Sequence, residues 1–546
     1  MLSRVRGAYG PEGLRGVAGA TDRAWCALEG RVEGVDAIAR SLGLPAELGA
    51  EEVLAEAFRM RKLGLLDGLG GTFALLVWDG GLREGILASD PLGTHSILYR
   101  SDRGVLHFST ELRELLSVVR TEPAADAVSR LLAYGSLNRD ETLFKGVRRL
   151  GGGEVVHLHR GTWALRTYWC PRYRRSSAMG LPEAAQHVRV TLAKAVSARC
   201  GARTGVLLSG GLDSTAVAAS ASPDSPLRAY SAVFPEHPQT DESTLIDQTT
   251  QLLGIDSRIR VVRPASVLAP ASEHAQRWSL PAASPSLFFQ AALLELARDD
   301  GIDTVLDGEG GDELFGAAPA LHDETPSLVA RARALLRRTQ RRPSMLRQPG
   351  LVRRDPGEAR RLELDGPAWW TSLVDLLTAA RERMGVHDHF RRNLASVGLN
   401  GGHPLLDDLR LIELVLGLSP ELAADGRLDR PVLREAMRGL VGEHVRLRET
   451  KSTFDQLLVD CMLGPDRKRL TSLLDPRRAA VTEYVRPELL ARFAEPPPRE
   501  QATLLWAWIA WRLASVELWL RALASDLEDT DAPSLPLLNG IRAQRL

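Results

Sequence analysis

The sequence predicts two domains of different texture: an N-terminal α+β unit, then an α/β unit built on a parallel sheet with a helical C-terminal part. Three observations predict this. At 546 residues the chain is longer than one hydrophobic core normally serves. Between Leu63 and Tyr99, and again between Thr142 and Trp169, short apolar runs alternate with Gly, Asp and Pro bends, the pattern of short strands and turns. From Leu181 onward the apolar runs GVLLS, LRAYSAVF and IDTVLD alternate with amphipathic helical stretches, as in βαβ units.

The elements follow in chain order. EEVLAEAFRMRKLG carries apolar residues at helical spacing and places a helix between Ala50 and Leu63. GGTFALLVWDGG, GILASDPLGTHSILYR and TLFKGVRRLGGGEVVHLHRGTWALRTYW read as strands of the first domain. PRYRRSSAMG has little apolar content and marks the boundary, dividing the chain into residues 1–170 and 180–546. The Arg-rich stretch from Ala330 to Leu362, broken by prolines, reads in part as a mobile surface insertion. It is either a solvated linker or helix face, or a contact for an acidic peptide or partner protein. Beyond it the chain is helical, and the tryptophans of Leu504 to Leu523 suit a core or a domain interface.

Composition narrows the partners. Lys plus Arg equal Asp plus Glu at 69 each, so no surface is tuned as a whole to nucleic acid or anionic lipid. Cys26, Cys170, Cys200 and Cys461 are widely separated, which points to neither a zinc site nor a disulfide framework and favours a reducing, cytoplasmic home. No apolar run is long enough for a membrane helix, and MLSRVRGAYG lacks the apolar core of a signal peptide.

The chemistry gathers at two glycine-rich turns. In GVLLSGGLDSTAVAASA, Gly205 to Ala221, an apolar strand runs through Gly210 and Gly211 into a helix, where free N–H groups and the helix dipole attract an anion. Ser209 and Ser214 offer hydroxyl donors. There is no GK[ST], so this is not a Walker A loop, and Asp213 suits a magnesium ion that neutralises phosphates. The second turn, VLDGEGGDELFG from Val305 to Gly316, sets Glu309, Asp312 and Glu313 at the end of another strand, where open α/β sheets bind ligands.

The SGGLDS segment resembles the signature of PP-loop ATP pyrophosphatases. Paired with GEGGDE, it is similar to the synthetase half of asparagine synthetases. By that resemblance Asp213 and Asp312 share Mg2+, and Leu208, Ser209, Gly210, Gly211, Asp213, Ser214, Ala232, Val233, Asp307 and Gly308 hold ATP or its pyrophosphate. AYSAVF with Asp241-Glu242 resembles the family's second strand and acidic pair. HPLLDDLRLIELVLGL, from His403, resembles its PFLD helix, and RLRETKSTFD, Arg446 to Asp455, the stretch with its catalytic lysine. The resemblance assigns that role to Lys451, with Arg448 nearby, the cation stabilising developing negative charge. Glu309 either orients or deprotonates the attacking amine or supports the turn.

In the N-terminal half, GGTFALLVWD followed by ASDPLGTHSILYR resembles the Ntn-type glutaminase domain of the same enzymes, an αββα fold, and FKGVRRLGGG with Tyr168-Trp169 resembles its last strands. A working glutaminase of that type needs an N-terminal cysteine whose free amine acts as base. The chain reads Met1-Leu2, Cys26 lies too deep, and LEGRVEG stands where glutamine-holding motifs are expected, so the expectation is an inactive glutaminase domain. Relatives in which the substrate supplies the amine are β-lactam synthetases and lasso peptide cyclases, and Glu309 and the Arg-rich insertion favour the latter. That resemblance implies a precursor peptide as substrate, a leader peptidase and a leader-binding protein as partners, and a cavity closed by the 330–362 region and Trp369-Trp370. An ammonia-using asparagine synthetase and a non-catalytic peptide-binding scaffold remain the alternatives.

Overall fold

The computed structural model describes residues 5–16, 24–174, 179–221, 227–316, 347–360, 363–367, 370–371, 373–375, 377, 386–419, 422, 429–450 and 452–528. The first domain stacks two antiparallel five-stranded sheets. One runs β2 (Gly13–Arg15), β1 (Arg6–Gly10), β7 (Val105–Ser109), β6 (Ile97–Asp102), β8 (Arg148–Leu150). The other runs β10 (Thr162–Thr167), β9 (Glu154–His159), β5 (Glu84–Ser89), β4 (Gly70–Asp79), β3 (Ala24–Glu33). β4 shows why GGTFALLVWD is apolar throughout. Ala74, Leu76 and Trp78 face the first sheet, while Phe73, Leu75 and Val77 face helices α1 (Val35–Leu42) and α2 (Ala50–Arg61). Helices α3 (Leu112–Val118) and α4 (Ala125–Tyr134) lie beyond the first sheet, and their buried residues join Leu98 of β6 in one core. This is the αββα, Ntn-type layering that the sequence predicts. The expected strand start at Leu63 is corrected, because Lys62–Leu66 form a 3₁₀ turn that carries on from α2.

The second domain opens with α5 (Leu181–Ser197), directly after the expected boundary. Its sheet is parallel, in the order β13 (Asp256–Val261), β12 (Leu227–Val233), β11 (Thr204–Leu207), β14 (Thr304–Leu306), β15 (Asn400–Gly402). The chain winds outward from β11 to β13 and then returns to lay β14 on the other side of β11. The crevice at this reversal lies between the strands that carry the two glycine-rich turns. One face of the sheet is covered by α5 and α6 (Leu212–Ala219), the other by α9 (Leu287–Asp299) and the helix Val386–Ser396.

The helical C-terminal part joins the two domains. Helix Leu504–Glu528 packs in one core with α3, α4 and α8 (Leu268–Trp278). Trp519 is fully buried, donates its indole N–H to the Ser279 carbonyl at 2.8 Å, and meets Phe144 of the first domain edge to face at 5.7 Å. The Trp-rich stripe is thus core and domain interface. Residues 317–346, most of the Arg-rich stretch, lie outside the described residues. Residues 347–360, the part of the stretch that is described, are tied to the first domain. Leu351 and Val352 are buried, Tyr134 donates to Asp355, and the Arg360 N–H donates to Asn138. Trp369 is likewise outside the described residues. Trp370 is a fully buried core residue packed on Tyr173, the commoner role for such a tryptophan, rather than part of a cavity wall. The four cysteines are free, and among the described residues no helix is long and apolar enough to cross a membrane.

Trp519→Ala removes a buried indole and leaves the Ser279 carbonyl without its donor, a loss of about 3–5 kcal/mol. The expected outcome is a clearly lower thermal midpoint by circular dichroism, with Trp519→Phe retaining most of the stability.

Candidate active site

The first loop is a closed circuit of short bonds. The Ser209 N–H donates to the Ser214 hydroxyl at 3.1 Å, the two hydroxyls sit 3.0 Å apart, and the Gly211 N–H donates to Ser209 Oγ at 3.2 Å. Outside the circuit, the Gly210 N–H donates to Glu242 at 2.9 Å. Arg448 reaches the same point from the far end of the sequence. It donates to the Gly210 carbonyl at 3.1 Å, pairs with Glu242 at 2.5 Å, and reaches Ser452 at 2.8 Å. The acidic pair after β12 therefore has two separate jobs. Asp241 accepts the Phe234 N–H at 2.7 Å and caps the strand exit, while Glu242 couples Arg448 to the loop.

The second loop lies against the first because it has no side chains in the way. A Cβ on Gly308 would stand 2.3 Å from the Ser214 nitrogen, and one on Gly311 would stand 2.1 Å from the Asp213 carboxylate. The glycines of GEGGDE thus permit contact between loops as well as any approach by a ligand. The contact brings Asp213 and Asp312 together at one point. Both face Nη1 of Arg430, at 2.6 Å and 3.0 Å, and Asp429 faces the same guanidinium at 3.2 Å. Burial alone would depress the Arg430 pKa, but Asp213, Asp312 and Asp429 outweigh it and hold the guanidinium above its ordinary range. Arg430 itself has left-handed backbone, φ 56°, unusual for a non-glycine residue and held by the Pro431–Ala436 helix that follows.

Asp307 turns away from this centre. It accepts from the buried His403 at 2.6 Å and from the Glu309 N–H at 3.0 Å. Burial works against the charged imidazole, but Asp307, with Asp407 and Glu309 assisting, raises His403 to about 9. The pair links the end of β14 to the end of β15, and Phe390 lies against the His403 ring at 4.5 Å.

The expected residues thus divide by place. Leu208, Ser209, Gly210, Gly211, Asp213, Ser214, Gly308 and Asp312 meet at the crevice between β11 and β14, and exposed Glu309 stands beside them. Ala232 and Val233 lie at the exit of β12, beside β11. Asp307 braces the loop through His403, and Arg448 clasps it through Glu242. Lys451 lies outside the described residues. Arg430, Glu242 and His403 complete the arrangement without having been singled out as site residues. Glu242 belongs to the recognisable acidic pair Asp241-Glu242, whereas nothing local marks Arg430 in LDRPVLREAM.

The donor set suits a hard cation. Two carboxylates share one guanidinium, leaving net negative charge where oxygen ligands converge, the usual arrangement for Mg2+ held jointly with substrate phosphates. Among the described residues no group of three or more His, Cys, Asp or Glu forms a self-sufficient metal cage.

The fold and crevice define a parallel-sheet nucleotide-site domain joined to an amidotransferase-type domain. The asparagine synthase family model matches residues 187–521, and the glutamine amidotransferase domain model matches residues 49–169. The chain belongs to the asparagine synthase family, whose members are ATP-dependent amide ligases that work with Mg2+. It is 29% identical over 282 residues to a putative glutamine-hydrolyzing asparagine synthetase of Mycobacterium tuberculosis, covering 49% of this chain and 43% of that protein. Amidase chyE of Penicillium rubens is 28% identical over 292 residues, with 49% and 43% covered. Asparagine synthetase 3 of Bacillus subtilis is 22% identical over 433 residues, with 73% and 69% covered. The matches to the first two span less than half of those relatives' length.

Gly308→Ala forces the two loops apart. ATP–pyrophosphate exchange is expected to fall at least ~100-fold, the effect of misplacing reacting groups by about 1 Å, with the far-ultraviolet circular dichroism unchanged. A second outcome concerns pH. Because His403 is raised above its usual 6.5, the stability it gives with Asp307 is complete below that pH and lost as pH rises through about 9. The gap in thermal midpoint between wild type and His403→Gln should close across that window.

Proposed function

We propose that the protein is an ATP-dependent amide ligase that activates a carboxylate as its adenylate and joins it to an amine supplied by the substrate itself. The favoured case is a precursor peptide closed into a macrolactam through an Asp or Glu side chain, as in lasso peptide cyclases. The observation that carries the adenylating part is the convergence of Asp213 and Asp312 at the crevice between β11 and β14.

When bound, Mg-ATP supplies the adenylation of the acceptor carboxylate, with pyrophosphate as the leaving group. The residues of the chain do the rest. The Ser209–Gly211 loop, its N–H groups taken by Ser214, Glu242 and Ser209 Oγ, sets the two serine hydroxyls at the mouth of α6, and Asp213 and Asp312 provide the oxygen ligands. Arg430 holds those carboxylates at one spacing, and its charge would help to offset negative charge on a departing pyrophosphate. Arg448 keeps the loop closed through Glu242, and Lys451 is assigned the electrophilic role at the reacting centre. Glu309, exposed beside the crevice, is the candidate for orienting the attacking amine.

The source of the amine rests on the first domain. Cys26 is half-buried on β3 against the α1–α2 layer, and its desolvation there pushes its thiol well above the ordinary value, the opposite of an activated nucleophile. Cys170 lies beyond β10, at the edge of the domain. Neither supports glutamine hydrolysis, so the domain is read as inactive in that reaction. The second reading, an ammonia-using asparagine synthetase, draws on relatives named asparagine synthetase, although those names specify glutamine hydrolysis.

The two readings separate in one experiment. With a candidate precursor peptide and ATP, the cyclase reading expects a product lighter by one water and one AMP per product. Asp213→Ala should abolish both. Asparagine formed from aspartate, ATP and ammonia at a comparable rate would overturn the cyclase reading while leaving the adenylating site intact. AMP release unchanged in Asp312→Ala would overturn the site itself.

A further inference from the structure

A second cavity lies away from the crevice, between the two domains, with a volume of ≈ 540 Å³ counting the space open to solvent. Most of its wall is aliphatic, including Leu143 from the first domain and Leu280 from the second. At one side four basic groups line it: Arg149 next to the end of β8, His274 of α8, and His389 and Arg392 of the Val386–Ser396 helix. No carboxylate lines it among the described residues. His274, His389 and Arg392 are each more than nine-tenths buried.

Two of these groups hold hydrogens with nowhere to go. Nε of Arg149 and Nδ1 of His389 are buried without a hydrogen-bond partner among the described residues. The His389 tautomer follows from its neighbour. The Asn393 amide nitrogen is 3.2 Å from Nε2, and an amide nitrogen can only donate, so Nε2 accepts and Nδ1 carries the proton. The local field is positive. Burial first, and then Arg392, depress His389 to about 4, while burial, His389 and Arg392 together lower His274. A buried donor without an acceptor is costly. An apolar cavity with a few convergent polar groups at one end is the ordinary form of a small-molecule site.

We propose that this interdomain cavity binds a carboxylate carrying a short apolar chain, its carboxylate oxygens taken by Arg149, His389 and Arg392 and its chain lying along the leucines. The proposal stands apart from the adenylating reaction, since none of these residues lies in the crevice. The ligand chemistry has two sources, a free organic acid or the C-terminal carboxylate of a peptide with an apolar last residue.

The test is calorimetric titration of the full chain with hexanoate, hexan-1-ol, and acetyl-Gly-Leu as free acid and as amide. The expected result is saturable binding of hexanoate or of the peptide acid, with the alcohol and the amide at least ~10-fold weaker; hexanoate binding marks a free acid, and binding of the peptide acid alone a peptide terminus. Arg149→Met and His389→Phe should each weaken the bound acid ~10-fold or more. Arg149→Met should leave the ligand-free thermal midpoint unchanged or higher, because it removes a half-buried guanidinium whose Nε has no partner among the described residues. Equal binding of acid and neutral partner, full affinity in Arg149→Met, or saturable binding of neither acid would overturn the proposal.

Discussion

The chemistry of this protein depends on two backbone loops touching. The turn after β14 can reach the turn after β11 only because Gly308 and Gly311 present no side chain to Ser214 and Asp213. That contact sets the distance between Asp213 and Asp312, and the distance decides whether two carboxylates act on one ligand or stand as separate surface charges. Arg430 occupies the shared point and opposes the repulsion between them. Such a pair is stable while its counter-charge is present and strongly unfavourable without it. The left-handed backbone of Arg430 is the strained position through which a distant helix delivers that charge.

Around this centre the supporting contacts come from segments far apart in the chain. Arg448 and Glu242 fix the first loop from the side of β12, and His403 with Asp307 fixes the second from the side of β15. Each brace joins the exit of a central strand to the exit of an outer one. The crevice is therefore held by the sheet order itself. Its floor cannot widen without breaking a buried or half-buried ion pair.

Among the described residues of the amidotransferase-type domain, neither Cys26 nor Cys170 has a comparable set of charged groups around it. The domain's buried carboxylate, Asp90, serves the fold by accepting the N–H groups of Phe73, Leu92, Thr94 and His95. Glu29, in the segment where glutamine-holding residues were sought, faces Arg391 of the second domain at 3.4 Å and the ring of His95 at 3.8 Å. Much of what this domain displays is interface, through Glu29, Phe144 and the residues that receive the 347–360 segment.

The sequence by itself determined the domain order, the strand-rich first half, the βαβ texture of the second and the two glycine-rich turns. These are local facts: an apolar run long enough to be a strand, glycines where a turn must be tight, alternation or helical spacing of apolar residues. It missed β13, whose SRIRV alternates charge with apolar residues on an exposed edge, and β15, whose NGG has no apolar run at all. It left open which part of the Ala330 to Leu362 stretch is anchored, because a segment docked by a few hydrogen bonds and two buried side chains, as 347–360 is, leaves almost no periodic signal. What only the tertiary structure decided was which charges meet. Arg430 is 118 residues from Asp312 and 217 from Asp213, and His403 is 96 from Asp307. No local pattern encodes such pairings, because the parallel sheet creates them when it brings strand ends together from distant parts of the chain.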